Sequence, residues 1–157
     1  MFFNSIESEG SVMKQTETER HGVLIKVCFA CYLVALVYFL LFAERGYSIS
    51  GYNVTPFAEI KRYIRYHDTL GFKLVILNLG GNILGFLPFG YLLPGMQRCF
   101  RNFLLTVFCC FLFSFMIEGI QMIAQVGCFD VDDMILNTFG GALGYLVHLI
   151  IESVRRN

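Results

Sequence analysis

Four long apolar stretches punctuate the chain, at about residues 23–43, 74–93, 103–126 and 134–151. Each can cross a bilayer, which takes about 20 largely apolar residues. The first is broken only by Lys26 near its start, where a long side chain can snorkel to the interface. The pattern predicts an all-α, polytopic membrane bundle of four transmembrane helices, a single membrane domain over residues 23–157. Met1–Gly22 reads as a polar, mobile tail. It carries Glu7, Glu9, Glu17 and Glu19 instead of a basic region, and no small-residue cleavage site follows, so it is not a cleaved signal peptide.

The first loop, "GYNVTPFAEIKRYIRYHDTLGFK", holds a further element. Thr55 is placed to cap a helix with Pro56 at its first position. Phe57, Ile60, Ile64 and His67 follow at helical spacing, while Lys61, Arg62 and Arg65 point elsewhere. This predicts a short basic amphipathic helix on the membrane surface. Its bases form a solvated face, or a contact for anionic lipid or a phosphate-bearing substrate.

Basic residues orient the bundle weakly. With both termini cytoplasmic, Lys14, Arg20, Arg98, Arg101, Arg155 and Arg156 lie inside, and Arg45, Lys61, Arg62, Arg65 and Lys73 lie outside. The short second loop and the C-terminal tail are purely basic and the third loop has no Lys or Arg, which favours cytoplasmic termini. Composition agrees with a bilayer: 56% of the 157 residues are hydrophobic, 15% are charged, and mean hydropathy is +0.62. A formal net charge of zero points away from nucleic acid. The membrane segments contain Cys28, Cys31, Cys109 and Cys110, which read as packing residues. The Cys28-x-x-Cys31 spacing lacks the βαβ context of a redox motif. No cofactor is expected.

Polar side chains within these stretches carry the functional signal, because a carboxylate at mid-bilayer costs about 2.5–3.5 kcal/mol. Ser114, Glu118, Gln121 and Gln125 share one face of the third helix. Asn78, Asn82, Gly85 and Phe89 repeat that spacing in the second, and Asp133, Asn137, Gly140, Gly144 and His148 in the fourth. "ILNLGGNILGFL" from Ile76 and "ILNTFGGALGYL" from Ile135 also match at seven of twelve positions. The match pairs Asn78 with Asn137, Gly81 with Gly140 and Gly85 with Gly144. It is compatible with a parallel internal repeat, or with two helices that independently use small residues for close packing.

At about 1.5 Å rise per residue, Asn82 and Glu118 both lie about 12 Å below the same membrane surface. The run Asp130-x-Asp132-Asp133 enters from that side. Asn78, Asn82, Glu118, Gln121, Asp132, Asp133 and Asn137 are therefore expected to converge in a polar cavity facing outward, with the acidic run from Asp130 as its mouth and Glu118 in its floor. Glu118, Asp132 and Asp133 are the candidate catalytic groups, and Asn78, Asn82, Gln121, Asn137 and Asp130 the candidate binding groups. Simpler roles compete: Asp132 or Asp133 capping the fourth helix, the asparagines bonding between helices, and His148 packing near the inner interface. A metal is left open. The aspartates offer hard oxygen ligands, but a calcium loop fails, with Ile135 where Gly is needed and Gly141 where Glu is needed.

These blocks resemble the VanZ-like family of bacterial membrane proteins. "NVTPFAEIKRYI" (Asn53–Ile64) is similar to its Asn-x-x-Pro-Phe element. "NLGGNILGFLPFGYLLP" (Asn78–Pro94) is similar to its Asn-x-x-x-Asn-x-x-x-Phe-x-Pro-x-Gly helix. "IEGIQMIAQVGCFDVDDMILNTFGGALGY" (Ile117–Tyr145) is similar to its Glu-x-x-Gln, Asp-x-Asp-Asp and Asn-x-x-Gly blocks. The chain departs where many members carry an Arg before the acidic run; here stands Gly127-Cys128-Phe129. The resemblance implies a multi-pass protein of the bacterial cell envelope, whose founding member is associated with teicoplanin resistance. Three functions follow as expectations: tolerance of an amphiphilic glycopeptide, a membrane enzyme acting on a lipid-linked envelope precursor with Glu118 as acid or base, and a small proton-coupled transporter. The expected partners are membrane lipids, such a glycopeptide or precursor, and a second copy of the chain, since four helices are few for a transporter.

Overall fold

A computed structural model describes residues 2–43 and 52–156. Arg45, one of the first-loop bases, lies outside them. Among the described residues four helices are long and apolar enough to cross a membrane, Gly22–Leu40, Phe72–Met96, Phe103–Ala124 and Val131–Arg156. The fold is all-α apart from one two-residue bridge. Helix α1 spans Phe2–Ala43, so the helix continues upstream through the polar stretch, where no proline interrupts it. The first loop contains β1 (Tyr52–Asn53), α2 (Ala58–Arg65) and α3 (His67–Leu70). The second span is α4 (Phe72–Val75), a π turn at Ile76–Gly80, and α5 (Gly81–Met96). Helix α6 (Phe103–Ala124), β2 (Phe129–Asp130) and α7 (Val131–Arg156) complete the chain.

Local chemistry sets the ends. The Asn102 side chain accepts from the Leu105 N–H at 3.0 Å and starts α6. Gln125 turns left-handed, at φ 55°, and ends it. Helix α7 starts at Val131, three residues before the apolar run, because Asp130 accepts from the Asp132 N–H at 2.7 Å. The capping expected of Asp132 or Asp133 is thus performed by Asp130. Pro88 lies inside α5 and leaves the Leu84 carbonyl without its helical donor. Beside it, the Tyr32 hydroxyl donates to the Gly85 carbonyl at 2.6 Å, tying α1 to this turn of α5.

Helix α5 is the hub of the bundle. On one side Phe29 and Leu36 of α1 meet Phe86, Phe89 and Leu93, with Cys110 and Ile117 of α6 closing the core. Phe89 holds Phe29 and Phe113 at ring-centroid distances of 5.3 and 5.1 Å. On the other side α7 approaches backbone to backbone. A Cβ at Gly140 would fall on the Ile83 carbonyl, one at Gly144 on the Leu87 carbonyl, and one at Gly90 on the Gly141 carbonyl. Glycine is needed there so that two helices can close without side chains between them. The repeat partners do otherwise. Gly81 faces open space, and Gly85 meets only the Leu36 side chain at 3.5 Å.

Candidate functional site: an acidic knot at one end of the bundle

Three segments distant in sequence meet where α6 ends and α7 begins. The bridge pairs Tyr52 with Phe129 and Asn53 with Asp130 in parallel register. The Asn53 amide also donates to the Asp130 carboxylate at 3.0 Å. Glu118, buried one and a half turns before the end of α6, accepts from the Asp130 N–H at 3.0 Å. Asn82 donates to Asp133 at 2.5 Å, bringing the second span into the same cluster.

Asp132 does something the sequence did not suggest. Its buried carboxylate reaches out of α7 to the start of α2, accepting from the N–H groups of Phe57, Glu59 (2.7 Å) and Ile60 (3.1 Å). These are among the donors a helix leaves unsatisfied at its N-terminus, where the helix dipole also favours an anion. Thr55 does not cap α2. The Asn53 side chain accepts from the Thr55 N–H at 3.1 Å, and the Ala58 N–H donates to the Thr55 carbonyl at 3.2 Å. Thr55–Ala58 is therefore a turn with Pro56 second and Phe57 third, and Phe57 adopts φ 64°, ψ 12° as a type II turn requires. The expected apolar anchor of α2 is also divided: Ile60 is half-buried, whereas Phe57 and Ile64 are exposed.

Glu59, which sequence reasoning passed over, is a further member. It receives Arg62 at 2.8 Å and sits beside Asp130 and Asp132. Burial pushes its pKa up; Arg62 pulls it down, and the two aspartates push it up again. Asp130 is also raised, first by burial and further by Asp132, against the lowering effect of its bonds from the Asp132 N–H and Asn53. Asp130, Asp133 and Glu59 are only half-buried, so the knot keeps an acidic face open. Among the described residues no group of three His, Cys, Asp or Glu side chains is arranged to hold a metal ion.

The structure thus gathers Asn82, Glu118, Asp130, Asp132 and Asp133, and disperses the other candidates. Asn78 donates to its own helix at the Leu74 carbonyl, 2.9 Å away. Gln121 donates to the Leu40 carbonyl at 3.1 Å and ties α6 to α1. Asn137 donates to Ser114 at 2.8 Å, a turn deeper. Gln125 is an exposed helix end. His148 lies toward the far end of α7, against the Tyr91 ring at 5.8 Å and 3.7 Å from Glu152. Beside the knot an open groove of about 380 Å³ runs between α6 and α7, lined by Val107, Phe111, Val131, Met134, Ile135 and Phe139 among others.

The VanZ/LLP1 family profile matches residues 29–152, which include every member of the knot. The chain is 30% identical over 129 residues to Protein VanZ of Enterococcus faecium, covering 78% of this chain and 71% of that one. No solved structure matches. The match reaches into all four membrane helices and contains the loop that closes the knot, and the chain belongs to the VanZ/LLP1 family.

Proposed function

We propose that this chain is a cell-envelope membrane protein that contributes to tolerance of teicoplanin-type lipoglycopeptides, with the knot facing outward as the working site. The observation that carries this reading is the convergence of Asn53, Asn82, Glu118, Asp130, Asp132 and Asp133, drawn from separate segments, into one network beside an apolar groove. Val131, flanked by Asp130 and Asp132, lines that groove. A head group bearing an amine meets the half-buried carboxylates of Glu59, Asp130 and Asp133, while an acyl chain lies along α7. Membranes favour this division, since apolar chains gain from the groove and cations from the acids.

The test is expression in a susceptible Gram-positive host. The wild-type chain raises the inhibitory concentration of teicoplanin, and E118Q and D132N, present in the membrane at equal levels, do not. No gain with the wild type, or a full gain with both variants, overturns the reading.

A further inference from the structure

Helix α2 also carries exposed charge of the opposite sign. Lys61 and Arg65 are four residues apart on α2 and exposed, and Ile64, a helical neighbour of Lys61, is exposed with them instead of packing with Ile60. Lys73, at the start of the second span, is exposed beside Phe72. Arg62 is held by Glu59, but among the described residues Lys61, Arg65 and Lys73 have no carboxylate within ion-pair distance. Phe57, Ile64 and Phe72 are 49, 60 and 69% exposed. Such an alternation of apolar and cationic side chains would be costly against water. It is favourable at the boundary between headgroups and acyl chains, where the rings enter the hydrocarbon and the cations meet phosphate.

We infer that the outer face of α2, with Lys73, is a binding surface for anionic phospholipid headgroups of the chain's own bilayer. Lys61 and Arg65 contact the phosphates, and Phe57, Ile64 and Phe72 anchor the surface. Asp132 contributes indirectly by fixing the start of the helix, which sets the height and angle of the cations. The surface is distinct from the acidic face of the knot, and its test does not depend on glycopeptide tolerance.

The full-length chain is reconstituted in nanodiscs of phosphatidylcholine mixed with phosphatidylglycerol, and the lipid retained on gentle extraction is identified by native mass spectrometry. Wild type retains phosphatidylglycerol over phosphatidylcholine. K61Q/R65Q loses that preference by about fivefold per removed charge and melts like wild type in phosphatidylcholine alone. K61R/R65K keeps the preference. R98Q/R155Q, which removes two charges from the other end of the bundle, leaves it unchanged. Equal retention of both lipids by wild type, an undiminished preference in K61Q/R65Q, or an equal loss in R98Q/R155Q would each overturn the assignment.

Discussion

Phe57 occupies a left-handed conformation that costs an ordinary side chain about 1–2 kcal/mol. It is about half exposed, so burial does little to offset this. What holds the conformation is Asp132, through the Phe57 N–H and two amides beyond it. Hydrogen bonds to a charged group are worth about 1.5–3 kcal/mol. D132N keeps the shape but turns one acceptor into a donor facing amide N–H groups. We expect it to destabilise the first loop by about 2 kcal/mol, read as faster hydrogen exchange at α2 amides with α6 exchange unchanged. Unchanged protection in α2 would remove Asp132 from this role. Glu59 gives a test by pH. Its raised pKa means the fold binds the proton more tightly than the unfolded chain does, so its contribution to stability falls as pH rises through the window just above the ordinary carboxylate range. Lowering the pH through that window should raise the melting temperature of wild type relative to E59Q. A fall would show that the Arg62 pair, and not burial, dominates the site.

The glycines of α7 separate what a sequence pattern can show from what it cannot. Gly140 and Gly144 lie on α5 carbonyls, while Gly81, the repeat partner of Gly140, faces open space. G140A and G144A should each cost about 1–3 kcal/mol, the scale of overpacking, and G81A should leave the melting temperature in detergent unchanged. Equal damage at Gly81 and Gly140 would restore the internal repeat as a packing principle. The four spans were readable because twenty apolar residues have few other uses, and the polar stripes because burying polar groups in lipid is costly. The amide partners were not. Asn78 and Asn82 sit one turn apart with the same chemistry, yet one bonds its own helix and the other reaches Asp133. That choice depends on where α7 stands, and no local pattern encodes it. The Asn53–Asp130 bridge joins residues 77 apart for the same reason. Asp132 could not be assigned by propensity either: an aspartate at a helix start is expected to cap that helix, and here it caps another.

Charge distribution bears on which side of the membrane the knot faces. By sequence, the knot's side has Arg45, Lys61, Arg62, Arg65 and Lys73 and the opposite side has Lys14, Arg20, Arg98, Arg101, Arg155 and Arg156, so simple counting barely separates them. The two sets differ in their setting. Arg62 is neutralised by Glu59 within a loop that also holds the acidic face, whereas Arg98 and Arg101 form a four-residue turn directly joining two spans. Orientation follows most closely the bases in short loops next to membrane segments, and on that rule we propose that the Arg98–Arg101 turn is cytoplasmic and the knot faces outward. In that orientation the proposed glycopeptide would meet the knot without crossing the bilayer. Two cysteines can report this. Native Cys99 is exposed in the turn, and Tyr66 is exposed just beyond α2. A membrane-impermeant maleimide should modify Y66C in intact cells at position 66 and reach Cys99 only after permeabilisation, with peptide mapping to locate each label. The reverse pattern would put the knot in the cytoplasm, and the proposed role in glycopeptide tolerance would fail with it. The lipid-binding face of α2 would survive that result, because anionic headgroups are present on both sides of a bilayer.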